Sequence, residues 1–295
     1  NGCVVDEGTA FACGCQLAAD DGVVGDEDAV KYIADAGFDA WDFSMFSMVK
    51  YDRNTQETEL TDHPLNGDGY IEYAQKLKEI GLKGGIVCNQ SHAPFPVANK
   101  LIRSCLERSI ESTGAAGGEI CIIHPDNNKT AVENAVMYRE LLPVAKRCNV
   151  KIATENMFNW KGDNASPAAC SSPESFNAHL DALNDDYFVA CLDIGHSQLK
   201  GLNTSPEEMI TALGERIKAL HIHDNDGIHD LHNIPFSGVI DFNKVVSALK
   251  AVNYSGYFTL EPDSHLKDCP KSEVGKRVKE LADAAKKLTD MFESL

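Results

Sequence analysis

Short apolar runs of strand length alternate along this chain with longer stretches whose apolar residues recur at helical spacing. FACGCQL precedes DEDAVKYIADAG, FDAWDFSMF precedes DGYIEYAQKLKEIG, and GGIVCNQ precedes a helix near PVANKLIRSCLERSIESTG. The alternation continues through EICIIHP and TAVENAVMYRELLPVAKRCN, KIATENM and SPESFNAHLDALN, and FVACLDIGH and SPEEMITALGERI. It ends with IKALHIHD and DFNKVVSALKAVN, then GYFTLEP and a last helix from about Ser272. In the second helix Tyr70, Ala74, Leu77 and Ile80 share a face, while Gly37, Gly81 and Gly114 stand where helices are expected to end. Eight such units in a row predict an α/β fold, a single (β/α)8 TIM barrel spanning residues 1–295. A doubly wound open sheet is the alternative, but it would spread the strand ends too widely for the chemistry they carry.

That chemistry lies where the apolar runs stop. His92 follows GGIVCNQ, His124 follows EICII, Glu155 follows KIAT, Asp193 follows FVACL, His221 follows IKAL and Glu261 follows GYFTL. In a parallel barrel the carboxyl ends of the strands converge on one face, so these residues are expected at a single mouth. LDIGH adds His196 three residues after Asp193, with Gly195 permitting a sharp turn. DGIHDLH adds Asp230 and His232, two apart and able to clasp one ion, and period two puts His221 and His223 on one side of their strand. Carboxylates and imidazoles without thiolates suit Mn2+, Zn2+, Co2+ or Fe2+. The long irregular stretches near residues 47–67, 157–172 and 224–240 all follow strands, on the face where barrel enzymes build substrate pockets.

Composition narrows the classes. No run of about 18 apolar residues exists, so a membrane span is not expected, and NGCVVDEGTA lacks the basic start and apolar core of a secretory signal. Whether a leader preceded Asn1 stays open. The ten cysteines contain no CxxC pair, and in a chain of this size that points to reduced thiols and a cytoplasmic protein. Cys13 and Cys15, one residue apart, fit packing on one side of a strand. A formal charge of -18 argues against a nucleic-acid partner. A small molecule is the expected partner, and a homo-oligomer stays open.

The run HIHDNDGIHDLHNIPFSGVIDFNKVVSALKAVNYSGYFTLE, with NQSHAPF, IIHP, TEN and LDIGH upstream, resembles the xylose-isomerase-like barrel superfamily over nearly the whole chain. That superfamily includes sugar isomerases and epimerases, inosose dehydratase and endonuclease IV. The resemblance to its epimerase branch implies one divalent ion held by Glu155, Asp193, His221 and Glu261. The resemblance to endonuclease IV implies three zinc ions, with His92, His124, His196, Asp230 and His232 completing the set. The acidic chain, the opening FACGCQLAADDGVVG and the segment GFDAWDF favour the sugar branch: an isomerase or epimerase acting on a small sugar, sugar phosphate or polyol. In that branch Glu155 and Glu261 would exchange a proton beside a carbonyl through an enediolate stabilised by the ion. His196 would orient substrate oxygens if one ion binds, and would be a ligand if more do. An endonuclease IV-like zinc phosphodiesterase, an inosose dehydratase-like lyase and a barrel that binds metal or sugar without turnover are the alternatives.

Other residues have plainer expectations. His223 is expected behind the ligands rather than among them. His63, His179 and His265 are expected at the surface, and His229 facing solvent. Trp41 and Phe158 are candidate substrate contacts, with Phe46, Phe95 and Trp160 as further walls of a sugar pocket, although large residues at strand ends also serve as core. Lys161 and Arg53 are long-loop cations that could meet a phosphate, although nothing in their spacing shows it.

Overall fold

The structure, a computed structural model, describes residues 11–13, 24–52, 55, 57–96 and 100–295. Eight strands carry the fold: β1 Phe11–Cys13, β2 Ala40–Ser44, β3 Val87–His92, β4 Ile120–Ile122, β5 Lys151–Glu155, β6 Phe188–Asp193, β7 Ile217–His221 and β8 Phe258–Leu260. They form one sheet in the order β7-β6-β5-β4-β3-β2-β1-β8, every pairing parallel. The two ends of that order meet just past β7, where Ile222 bridges to Leu260 and the Ile222 and Glu261 amides donate to the Thr259 and Ile222 carbonyls. The α/β barrel predicted from the alternation is therefore present. Arg53 and Cys15 fall outside the described residues.

Outside the sheet run α1 Asp26–Ala36, α2 Tyr70–Lys83, α3 Lys100–Ala116, α4 Ala131–Cys148, α5 Pro173–Leu183, α6 Pro206–Leu213, α7 Phe242–Ala251 and α8 Val274–Glu293. Their starts are written in sequence. Thr130 and Glu133 form a reciprocal capping box on α4, and Ser172 and Ser205 cap α5 and α6 ahead of a proline at the first turn. Gly37 does end α1, with φ 93°. Gly81 and Gly114 instead lie inside α2 and α3. Both are packing glycines: a Cβ at Gly81 would crowd Trp41 Nε1 at 2.9 Å, and one at Gly114 would stand 3.2 Å from the Cys148 carbonyl.

Strand alternation divides the sheet between two environments. One row meets the helices in the main hydrophobic core, with Trp41, Phe43, Cys121, Ile152, Ala190 and Leu220 among its members. The other fills the lumen with Ile122, Ala153, Val189, Cys191 and Ala219. The lumen rows run on into the predicted ligands: Ile122 to His124, Ala153 to Glu155, Cys191 to Asp193 and Ala219 to His221, each two residues further along. Two hairpins, Val49–Tyr51 with Thr58–Leu60 and Phe158–Lys161 with Asn164–Pro167, extend the loops after β2 and β5.

Candidate metal centre

The nine predicted ligands gather at the carboxyl ends of the strands, in two adjoining parts. In the first, Glu155 Oε2 lies 3.0 Å from His221 Nδ1 and 3.2 Å from His124 Nε2, and His92 Nε2 approaches His124 Nε2 to 2.7 Å. Glu261 faces the same ring, 3.5 Å from His221 Nδ1 and 3.3 Å from His92 Nδ1. Two overlapping sets here offer ligand atoms mutually within 4.8 Å: His92, Glu155 and His221, and Glu155, Asp193, His221 and Glu261. In the second part His196, His223, Asp230 and His232 do the same. Nearly all these side chains are shut from solvent, with Asp193, His221 and His223 at 0% exposure.

Such burial is costly for polar groups left unpaired. Both ring nitrogens of His221 and of His223, Nδ1 of His124, Oδ2 of Asp193 and Oδ1 of Asp230 are buried without a hydrogen bond. Converging donors with orphaned lone pairs are what a cation would satisfy, so the residues fit one or more divalent ions.

Crowding also shifts their protonation. Burial would raise the Glu155 carboxyl, but the imidazoles of His221 and His124 outweigh it and hold it well below the usual carboxylate range. Glu261 goes in the opposite direction: burial pushes it up to about 8, against the pull of His221 and His232. Burial lowers the His196 ring, yet Asp193 and Asp230 carry it up to about 10.

Residues beyond those nine hold the candidate ligands in place. Asn156, in the TEN motif, accepts from the Asp193 amide at 2.8 Å and donates to the Asp193 carbonyl and Ser197 Oγ, while its own carbonyl accepts from His196 Nδ1 at 2.8 Å. Asp42 projects into the lumen beneath His221, 3.5 Å from Nε2, and accepts from Gln90 Nε2 at 2.8 Å. Asp224, fully buried, accepts from the amides of Asn225, Gly238 and Ile240 and so gathers the loop over residues 224–240. An Asp or Asn just beyond a strand end is the signal that could have marked Asn156 and Asp224.

Several expectations need correction. Trp41 does not reach the mouth: alternation on β2 turns it outward against α2 while its neighbour Asp42 points in, and it is 2% exposed in the helix-facing core. His179 is buried, donating from Nδ1 to the Ser175 carbonyl and accepting from Asn134 at Nε2. His63 and His265 are half-buried and paired with Asp26 and Glu280. His229 is exposed, against Asp226. His223 lies 3.2 Å from Asp193 Oδ1 and 3.6 Å from Asp230 Oδ1 and stacks on His232. Phe158 does border the site, its ring edge-on to His196 at 5.0 Å, with Trp160 behind it. Phe46 and Phe95 stack at 5.2 Å and cover His92 and His124. Lys161 lies exposed on the hairpin strand that begins at Phe158.

Fold and site together define a parallel barrel with an acid-and-imidazole mouth. The Xylose isomerase-like TIM barrel family matches residues 30–291, and the chain belongs to it. It is 27% identical over 206 residues to the uncharacterized protein MJ1311 of Methanocaldococcus jannaschii, a match covering 62% of this chain and just under two thirds, 66%, of that one. It is 25% identical over 216 residues to the L-ribulose-5-phosphate 3-epimerase UlaE of Escherichia coli, covering 68% of this chain and 72% of the relative. In fold it is similar to the D-psicose 3-epimerase of Clostridium cellulolyticum H10, solved with D-tagatose, at a TM-score of 0.69 and 13% identity over 95% of this chain and 99% of the other. No helix among the described residues is long and apolar enough to cross a membrane.

Proposed function

We propose that this protein is a divalent-metal-dependent isomerase or epimerase acting on a small sugar, sugar phosphate or polyol, and that it moves a proton on a carbon next to a carbonyl. The observation that carries the reading is the pair Glu155 and Glu261. They face one imidazole, His221, from 3.0 and 3.5 Å, and with it and Asp193 offer ligand atoms within 4.8 Å of one another. Glu155, Asp193, His221 and Glu261 would hold the ion, with His92 and His124 beside them. When bound, a divalent ion polarises substrate oxygens as a Lewis acid and lowers the cost of the charge that develops there.

The chain's own groups do the rest. Glu155, through the oxygen that does not hold the ion, accepts the proton from the carbon, and Glu261, on the other side and charged with a proton from solvent, returns one; the reverse reaction exchanges the roles. Phe46, Phe95 and Phe158 provide apolar surface for the hydrogen-bearing face of a sugar. The named activity of the Escherichia coli relative, a 3-epimerase of a ketose phosphate, supports this class of substrate.

Incubation with ketoses and ketose phosphates in deuterated water tests the reading. Solvent deuterium should enter the carbon beside the carbonyl as the product forms, because a carboxylic acid equilibrates with solvent. Product carrying only the original hydrogen would replace the proton transfer with a hydride shift. A second reading, a zinc phosphodiesterase, is favoured by donor sets sufficient for more than one ion. Cleavage of abasic-site DNA, with no sugar turned over, would establish it instead.

A further inference from the structure

We infer that Trp160 is the platform of an outer subsite at the barrel mouth, and that the substrate is a ketose carrying a second sugar ring in glycosidic linkage. This rests on the sugar reading of the site and extends it outward.

An aromatic lane leads from the candidate ligands to the surface. The Phe158 ring stands edge-on to buried His196 at 5.0 Å, and the Trp160 ring stands edge-on to Phe158 at 5.2 Å. The lane ends in solvent, with Trp160 50% exposed. Each step is on the scale of one sugar ring. A first ring held among the ligands and against Phe158 therefore leaves the indole beside the next ring out, not beside the one that reacts. The apolar C–H face of a pyranose can lie on such a ring while its hydroxyls stay in water.

A single exposed apolar side chain is ordinary on any surface. Trp160 differs in its support. It lies on the strand Phe158–Lys161, paired antiparallel with Asn164–Pro167. Asn127 Nδ2 donates to the Phe158 carbonyl at 2.9 Å, Asn159 Nδ2 to Asn128 Oδ1 at 3.0 Å and Ser166 Oγ to the Asn159 carbonyl at 3.3 Å. The hairpin is thereby tied to the loop between β4 and α4. Period two sets Phe158 and Trp160 on one face of it and Asn159 and Lys161 on the other. A ring held this way is ordered before anything binds, which lowers the cost of binding. The exposed residues beside it, Lys161, Gly162, Asp163 and Asn164, are not the contiguous apolar surface that the core of a protein interface requires. One indole at the end of a lane fits one sugar ring.

Fluorescence reads the subsite without reference to turnover. The chain has two tryptophans, and Trp41 is 2% exposed in the helix-facing core, so a ligand-dependent shift in indole emission reports on Trp160. Zinc-loaded protein is titrated with D-fructose and with four keto-disaccharides that contain it, lactulose, maltulose, isomaltulose and turanose. At least one disaccharide should move the emission to shorter wavelength and bind about tenfold more tightly than D-fructose, the gain expected from one stacked ring. In Trp160→Ala, calorimetry should show that advantage lost with zinc content intact. Trp160→Phe, which keeps an apolar face, should recover most of it. Disaccharides that bind no more tightly than D-fructose, or an advantage that survives Trp160→Ala, would overturn the subsite and leave the sugar reading standing. Binding of neither D-fructose nor any disaccharide would remove the sugar reading and the subsite with it.

Discussion

Glu155 and Glu261 are the side chains on which the proposed chemistry turns, and their environments assign them different work. Replacing either with Gln preserves shape and removes the exchangeable carboxyl, so turnover should fall at least about a hundredfold. Metal content measured in the same variants separates a lost base from a lost ligand. A variant that keeps both metal and full turnover takes that Glu out of the mechanism. The placement of His124, Glu155, Asp193 and His221 was legible because each closes a lumen-facing row, and a row of period two is written in the sequence. Trp41 was misread because standing near a strand end does not say which way a side chain faces. Its neighbour Asp42 occupies the inward position and reaches His221, 3.5 Å away. His179 was misread because its partners, Asn134 and the Ser175 carbonyl, include one 45 residues away in sequence.

Between β5 and the mouth, the hairpin Phe158–Lys161 with Asn164–Pro167 rests on the turn Lys200–Leu202, where a Cβ at Gly201 would overlap the Ala165 backbone. Gly201→Ala must therefore move the hairpin, and with it the Phe158 ring against His196. We expect kcat/KM to drop about tenfold or more while metal content stays unchanged, since small misplacements of a positioning group are costly. Metal loss in this variant would show that the hairpin supports the ligands rather than the substrate. Helices and strands were readable from periodicity and caps, and the capping box at Thr130 is a direct sequence signal. Gly81 and Gly114 were read as helix ends because a glycine chosen for close packing looks the same in sequence as one chosen for its backbone.

For the whole molecule, metal uptake and protonation are linked. In the metal-free protein Glu261 keeps its proton up to about 8, His196 keeps one up to about 10, and His221 and His232 are raised well above the ordinary histidine range, each against the opposing effect of burial on the rings. These groups must shed protons to bind an ion. Apparent affinity should therefore rise with pH from 6 to 8, and zinc binding near neutrality should release protons, detectable as buffer-dependent heats in calorimetry. Affinity independent of pH would mean that these residues are not the ligands. Saturating metal at a hundred times its dissociation constant should add about 2.7 kcal/mol per site to stability, seen as a higher Tm than in the chelated protein.

Among the described residues the ring of strands is joined at its ends by little backbone: past β7, the Ile222–Leu260 bridge and the two amide bonds beside it. His221 and Glu261 flank that join and face each other across it at 3.5 Å. A cation shared by the two would act as a rivet through the seam, so the catalytic centre would also decide whether the cylinder stays shut. Amide hydrogen exchange at Ile222 and Glu261 should then accelerate on chelation well before exchange between β2 and β3, which share a longer ladder. Equal protection with and without metal would mean that the seam holds by packing alone.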